Sequence, residues 1–253
     1  MKLRTIILNT FKEAIRKKLL FIVFSFSLLL LAASGVLVPL SLGEESKIIM
    51  DVGLGSISIF GILLAILIGS QLVFNELERK TIYFVISKPV RRETFIIGKF
   101  LGLLLTLTAV IFILVVWFYL ILFVLTGLHP ASLLISVFLS YLEIVIITAF
   151  CIFFSTFTSP IFSSLFTFLL FVIGRLAPDI QLLASKTANP FAHFSLQLVY
   201  YIIPNLSNFN VRGIVVHSEP VPHNHILFTI AYALIYTIIL LVSSSEIFRR
   251  KDL

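Results

Sequence analysis

The chain has 253 residues, 59% hydrophobic and only 12% charged, with a formal net charge of +7. A soluble domain carries about 25% charged residues, so the composition excludes an ordinary water-soluble enzyme or binding module and fits a protein dissolved in a bilayer. The excess of cations does not indicate nucleic acid, because Lys and Arg flank apolar runs of spanning length, as membrane proteins place them.

Residues 1–18 read as an interfacial helix. Leu3, Ile6, Ile7, Thr10, Phe11, Ala14 and Ile15 share one face at helical spacing, and Lys2, Arg4, Asn9, Lys12, Glu13, Arg16 and Lys17 fill the rest. Apolar on one side and basic on the other is the pattern of a helix lying on a cytoplasmic leaflet. The alternative, a disordered basic arm that only sets topology, does not explain so regular a stripe. The apolar run of residues 19–42 is 24 residues long, beyond the roughly 7–15 of a cleaved signal core, so an uncleaved span is expected.

About 20 apolar residues are needed to cross the hydrocarbon core. Six stretches qualify, near 19–40, 54–74, 95–126, 133–156, 160–178 and 226–246. The third is longer than a crossing requires, which predicts tilt or projection from the bilayer. Phe157, Thr158, Ser159 and Pro160 separate the fourth from the fifth and predict a tight helical hairpin. With six spans, only Lys47, Arg175, Lys186 and Arg212 of the 19 basic residues fall on the side opposite the termini. The positive-inside bias then puts both termini in the cytoplasm. The expected fold is an all-α polytopic membrane protein: six transmembrane helices, an N-terminal interfacial amphipathic helix, and a single domain over residues 1–253. The expected location is the cell (cytoplasmic or inner) membrane.

Small residues recur at four-residue spacing. Gly61, Ala65 and Gly69 share a face of span two, and Gly98 and Gly102 share a face at the start of span three. Such faces let membrane helices approach closely, so spans two and three are expected to pack on each other. Span four carries Glu143 and span five carries Arg175, each costly alone in hydrocarbon. Glu143 is 14 residues before Phe157 and Arg175 is 15 residues after Pro160, so both lie roughly 21–22 Å from the turn at about 1.5 Å per residue. An intramembrane ion pair across the hairpin is expected. Its competitors are pairing of Arg175 with Asp179 and snorkelling of Arg175 to the surface. Structural pairing outweighs a proton relay, because spans four and five offer no further acid or histidine to continue one.

Residues 179–225 form a long outer loop. Asn189 and Pro190 read as a cap and a first-turn proline, starting a short helix with the stripe Phe191, Phe194, Leu198, Tyr201 and Ile202. This helix is expected at the outer interface or dipping into the membrane, and Tyr200 and Tyr201 suit the headgroup layer. His217, His223 and His225 follow, but at a spacing that fits no metal motif.

No catalytic constellation appears. Gly98 and Lys99 are the nearest approach to a Walker A sequence, but Phe100 stands where Ser or Thr is needed and Glu93 where the first Gly is needed. The single cysteine, Cys151, lies in an apolar run, so neither an internal disulfide nor a Cys-based metal site can form. The chain is expected to be no enzyme, to hold no metal or cofactor, and to take energy for transport from a partner or a coupled ion.

One charged island remains, residues 75–93, the largest cytoplasmic loop. It is longer than the few residues a bare connector uses. "NELERKTIYF" reads as a short helix exposing Glu76, Glu78, Arg79 and Lys80, which suits docking. The stretch "NELERKTIYFVISKPVRRETFIIGKFLG" resembles the cytoplasmic loop of type-2 ATP-binding-cassette (ABC) exporter permeases. The matching positions are Glu76, Lys80, Thr81, Pro89, Arg91, Arg92, Gly98 and Lys99. "YYIIPNLSNFNVR" in the outer loop is similar to the same family. The resemblance implies the transmembrane subunit of an ATP-driven exporter that pairs with a second permease copy or close relative. It also implies a separate cytosolic ABC ATPase subunit, which would hold ATP and Mg and be contacted by Glu76, Glu78, Arg79 and Lys80. Membrane lipid is the remaining partner expected, and nucleic acid is not one. The alternatives are a secondary transporter, which would show repeats and broken mid-span helices, and a non-transporting membrane assembly subunit.

Overall fold

A computed structural model describes residues 2–15, 25, 44–78, 92–187 and 189–250. Among these residues the chain forms helices and no strands. In order they are α1 (Lys2–Ile15), α2 (Glu45–Glu78), α3 (Arg92–Thr126), α4 (Leu133–Ser155), α5 (Pro160–Arg175), α6 (Ala177–Lys186), α7 (Pro190–Ile202), a 3-10 turn (Leu206–Phe209), α8 (Arg212–Val216) and α9 (His223–Arg249).

Helices α2, α3, α4 and α9 are long and apolar enough to cross a bilayer. Helix α5 has 16 residues, about 24 Å at 1.5 Å per residue, short of the ~30 Å core. It bends by 59° into α6, and the two together make a fifth crossing if taken as one broken span. The described residues therefore hold four or five crossings, and the first of the six expected spans, 19–40, lies outside them. The fifth span was expected to run to 178. Instead the helix stops at Arg175, and Pro178 occupies the first turn of α6, where a missing N–H leaves no hydrogen bond unmade.

Several of the side chains that a bilayer would penalise are satisfied locally, although the buried Thr10, Ser136 and Thr237 hydroxyls have no partner among the described residues. Hydroxyls bond the carbonyl one turn back: Thr106 to Gly102, Thr148 to Ile144, Thr167 to Ser163 and Ser244 to Leu240. This keeps polar atoms paired where no water is available. Helix α3 ends at Gly127, whose φ of +69° suits the left-handed cap position and whose N–H donates to Phe123 O at 2.8 Å. The Tyr119 hydroxyl then donates to Pro130 O across the short connection to α4.

Helix α4 is the hub. It packs against α2, α9 and α5, and the run Ile144, Ile146, Ile147, Thr148, Ala149, Phe150, Cys151 and Ile152 is buried on every face. Helices α2 and α3 also pack together and are 34 and 35 residues long, about 50 Å each at 1.5 Å per residue. Two expectations change here. Helix α2 begins at Glu45 rather than near 54, and Asn75–Glu78 prolongs it instead of opening a separate helix. No Gly or Pro stands between Gly69 and Glu78 to interrupt it.

Helix α1 packs along the start of α3 rather than lying on the membrane alone. A Cβ on Gly98 would stand 2.7 Å from Ile6 Cγ2, and one on Gly102 would stand 2.6 Å from Thr10 Cβ. The Gly98/Gly102 strip is thus the seat of α1, not of span two. The Gly61/Ala65/Gly69 strip does face its neighbours in the bundle, but α4 comes first. Gly61 is closest to Ile144, and a Cβ on Gly69 would meet Cys151 Sγ at 3.1 Å and Leu103 Cδ2 of α3 at 3.2 Å. Ala65 is fully buried between them.

The outer segment is mostly helical. Asn189 caps α7 as its sequence predicts, its side chain accepting from Phe191 N at 3.0 Å. The 3-10 turn approaches α5 closely, because a Cβ on Gly174 would lie 2.9 Å from Leu206 Cδ1.

Candidate functional site

The hairpin turn at residues 156–159 sets α4 and α5 side by side, and this brings Glu143 and Arg175 to one depth. Arg175 Nε donates to Glu143 Oε1 at 2.7 Å, and Arg175 Nη2 donates to Glu143 Oε2 at 2.6 Å. This two-pronged geometry is the strong form of a guanidinium–carboxylate pair. The Glu143 side chain is 0% exposed and that of Arg175 20%. The Arg175 guanidinium also lies 5.5 Å from the centre of the Phe171 ring, one turn back on α5. Asp179, the competing partner, stands beyond the bend in α6.

Two further residues complete the site. Ser58 on α2 accepts from Arg175 Nη2 at 3.0 Å. Arg212, at the start of α8, brings a second positive charge to bear on the Glu143 carboxylate. Arg212 Nε donates to Asn210 Oδ1 at 2.9 Å, and its guanidinium fills the space that any side chain at Gly55 would need. Only glycine at this turn of α2 lets the guanidinium reach so deep.

The cluster therefore ties four elements at one level: α2 through Ser58 and Gly55, α4 through Glu143, α5 through Arg175, and the outer segment through Arg212. A carboxylate and a guanidinium buried together are costly to desolvate but costlier to separate, about 3–5 kcal/mol when one partner is removed. Separating α4 from α5 must break the pair, and moving α2 away from α5 must break the Ser58 bond to Arg175.

The other predicted residues lie elsewhere. Glu76 and Glu78 belong to the last turns of α2, while Arg79 and Lys80 lie outside the described residues, as do Thr81, Pro89 and Arg91. His217 Nδ1 donates to Gly213 O at 2.8 Å and His225 Nε2 donates to Asn208 O at 2.9 Å. Among the described residues no three His, Cys, Asp or Glu side chains converge as metal ligands. Ser58 and Arg212 were not singled out from sequence. Gly53 and Gly55, two glycines in one turn of a span, are the signal that something must approach α2 there. Gly53 receives the ring of Phe118 and Gly55 receives Arg212.

A multi-pass helical membrane protein with an ionic hub inside its bundle is the class that fold and site define. The model of the ABC-2 family transporter proteins matches residues 4–253, and the chain belongs to that family. It is accordingly a permease-type membrane subunit of the ABC transporter class. No curated protein matches the chain.

Proposed function

We propose that the chain is the transmembrane subunit of an ATP-driven exporter in the cytoplasmic membrane. It has six spans with both termini in the cytoplasm, and works with a separate cytosolic ABC ATPase and a second permease copy or close relative. ATP and Mg belong to the ATPase. Residues 75–93 are the docking loop, with Glu76, Glu78, Arg79 and Lys80 as its contacts.

The observation that carries this reading is the framing of that loop. Helix α2 runs unbroken to Glu78 and α3 starts at Arg92, so a charged segment of thirteen residues is held between the ends of two packed rods about 50 Å long. A push on 79–91 passes along α2 to Gly55 and Ser58, and so to the Glu143–Arg175 pair. A secondary transporter or an assembly subunit has no use for such a handle. Charge reversal at Glu76 and Arg79 together tests the reading, since single exposed pairs are worth only about 0–1 kcal/mol. Loss of ATPase binding or of ATP-dependent transport, with membrane insertion intact, is the expected result. Full activity in the double variant contradicts it.

A further inference from the structure

Helices α6 and α7 pack on each other and enclose a crevice of about 150 Å³, lined by Gln181, Ser185, His193, Gln197, Tyr200 and Tyr201 around Ala184. Every one of these six side chains carries a hydrogen-bonding group and none is ordinarily charged. Among the described residues, neither Gln181 nor Gln197 spends its carboxamide on the protein. His193 Nδ1 donates to Ala184 O at 2.7 Å, which fixes the ring and leaves Nε2 of the neutral imidazole as an acceptor. Tyr200 and Tyr201 stand edge to face with ring centres 5.4 Å apart.

The opposite face of α7 is apolar and unpartnered. Phe191 is 80% exposed, and Phe194, Leu198 and Ile202 continue its stripe. In a membrane protein such a stripe rests in lipid at the interface, which sets the crevice at headgroup level. The stripe itself needs no ligand beyond acyl chains. The crevice has hydrogen-bonding capacity to offer one, because the Gln181 and Gln197 carboxamides line it without a partner among the described residues.

We propose that this crevice binds a neutral, hydroxyl-rich group, of the kind a sugar headgroup presents. An anionic phosphate is disfavoured, because no Lys or Arg lines the crevice and burying an unpaired charge is costly. Hydroxyls both donate and accept, which matches carboxamides, phenols and an imidazole acceptor in one place. The tyrosine rings supply apolar faces for the C–H side of a ring. The volume, equal to about five waters at ~30 Å³ each, admits one ring-sized group and leaves any acyl chains outside, along the Phe191–Ile202 stripe.

The test uses the full chain in phosphatidylcholine nanodiscs, doped with photoactivatable monoglucosyl diacylglycerol or with phosphatidylglycerol carrying the same chains. The expected result is glucolipid labelling mapped to residues 177–202 and competed by unlabelled glucolipid. In a Gln181→Ala/Gln197→Ala variant, labelling falls about fivefold or more, as loss of one or two hydrogen bonds implies. Asparagine at both positions recovers part of it, and the unfolding midpoint stays unchanged because neither side chain holds the fold. Competition by soluble methyl glucoside assigns the same chemistry to a water-borne sugar, and lack of competition assigns it to the lipid. Equal labelling by phosphatidylglycerol, or full labelling of the alanine variant, shows a lipid annulus only and overturns the proposal.

Discussion

Helices α4 and α9 look alike in sequence. Each is a run of more than 20 residues and each passes as a membrane span. Their surroundings are opposite. From Glu143 to Ile152, α4 is buried or nearly so on every side, while α9 exposes Leu227, Phe228, Leu234, Ile235, Ile238, Ile239 and Val242. Apolarity fixes only that a helix lies in the membrane, since lipid is as apolar as leucine. The polar and small residues decide which helix is central. Glu143 and Cys151 on α4 meet Arg175 on α5 and Gly69 on α2, whereas on α9 Thr229 and Ser244 bond carbonyls of their own helix.

The contrast is open to direct attack. The largest effect is expected from Glu143→Ala, which leaves the part-buried Arg175 guanidinium with Ser58 but no counter-charge. It should destabilise the protein by about 3–5 kcal/mol, read from unfolding in nanodiscs, and the Glu143→Arg/Arg175→Glu swap should recover part of that loss. Next comes Ile146→Ala in the packed interior of α4, at about 2–5 kcal/mol, the range for a deleted core side chain whose cavity cannot collapse. Gly102→Val should cost about 1–3 kcal/mol through overpacking against Thr10 and the Ile7 carbonyl. Its signature is faster hydrogen exchange confined to residues 2–15, as α1 leaves α3. The smallest effect belongs to Ile235→Ala on the outer face of α9, within about 0.5 kcal/mol. If Ile235→Ala cost as much as Ile146→Ala, α9 would have a protein neighbour where this comparison assigns lipid.

What sequence reveals here depends on how local the cause is. The cap of α7 was legible, because Asn189 and Pro190 act within one turn. The meeting of Glu143 and Arg175 was legible too, because a short hairpin turn makes residue counting equivalent to depth. The small-residue strips were only half legible. Glycine at four-residue spacing says that some helix comes close, but not which one, and Gly98 and Gly102 receive α1 rather than span two. Ser58 stands 117 residues from Arg175, and Arg212 reaches Gly55 across a similarly long separation. No spacing rule links such pairs, so their part in the site emerges only from the packing of α2 on α4 and of the outer segment on both.

The central claim is that the loop between α2 and α3 couples an ATPase to this bundle. The most direct measurement is ATP hydrolysis by the cytosolic ABC subunit in proteoliposomes, with and without this chain, compared between the native loop and the Glu76→Lys/Arg79→Glu double variant. Stimulation by the native chain, lost in the double variant while the Glu143–Arg175 hub keeps its stability, is the result this account predicts. Equal hydrolysis with and without the chain, or stimulation untouched by the double reversal, would contradict it.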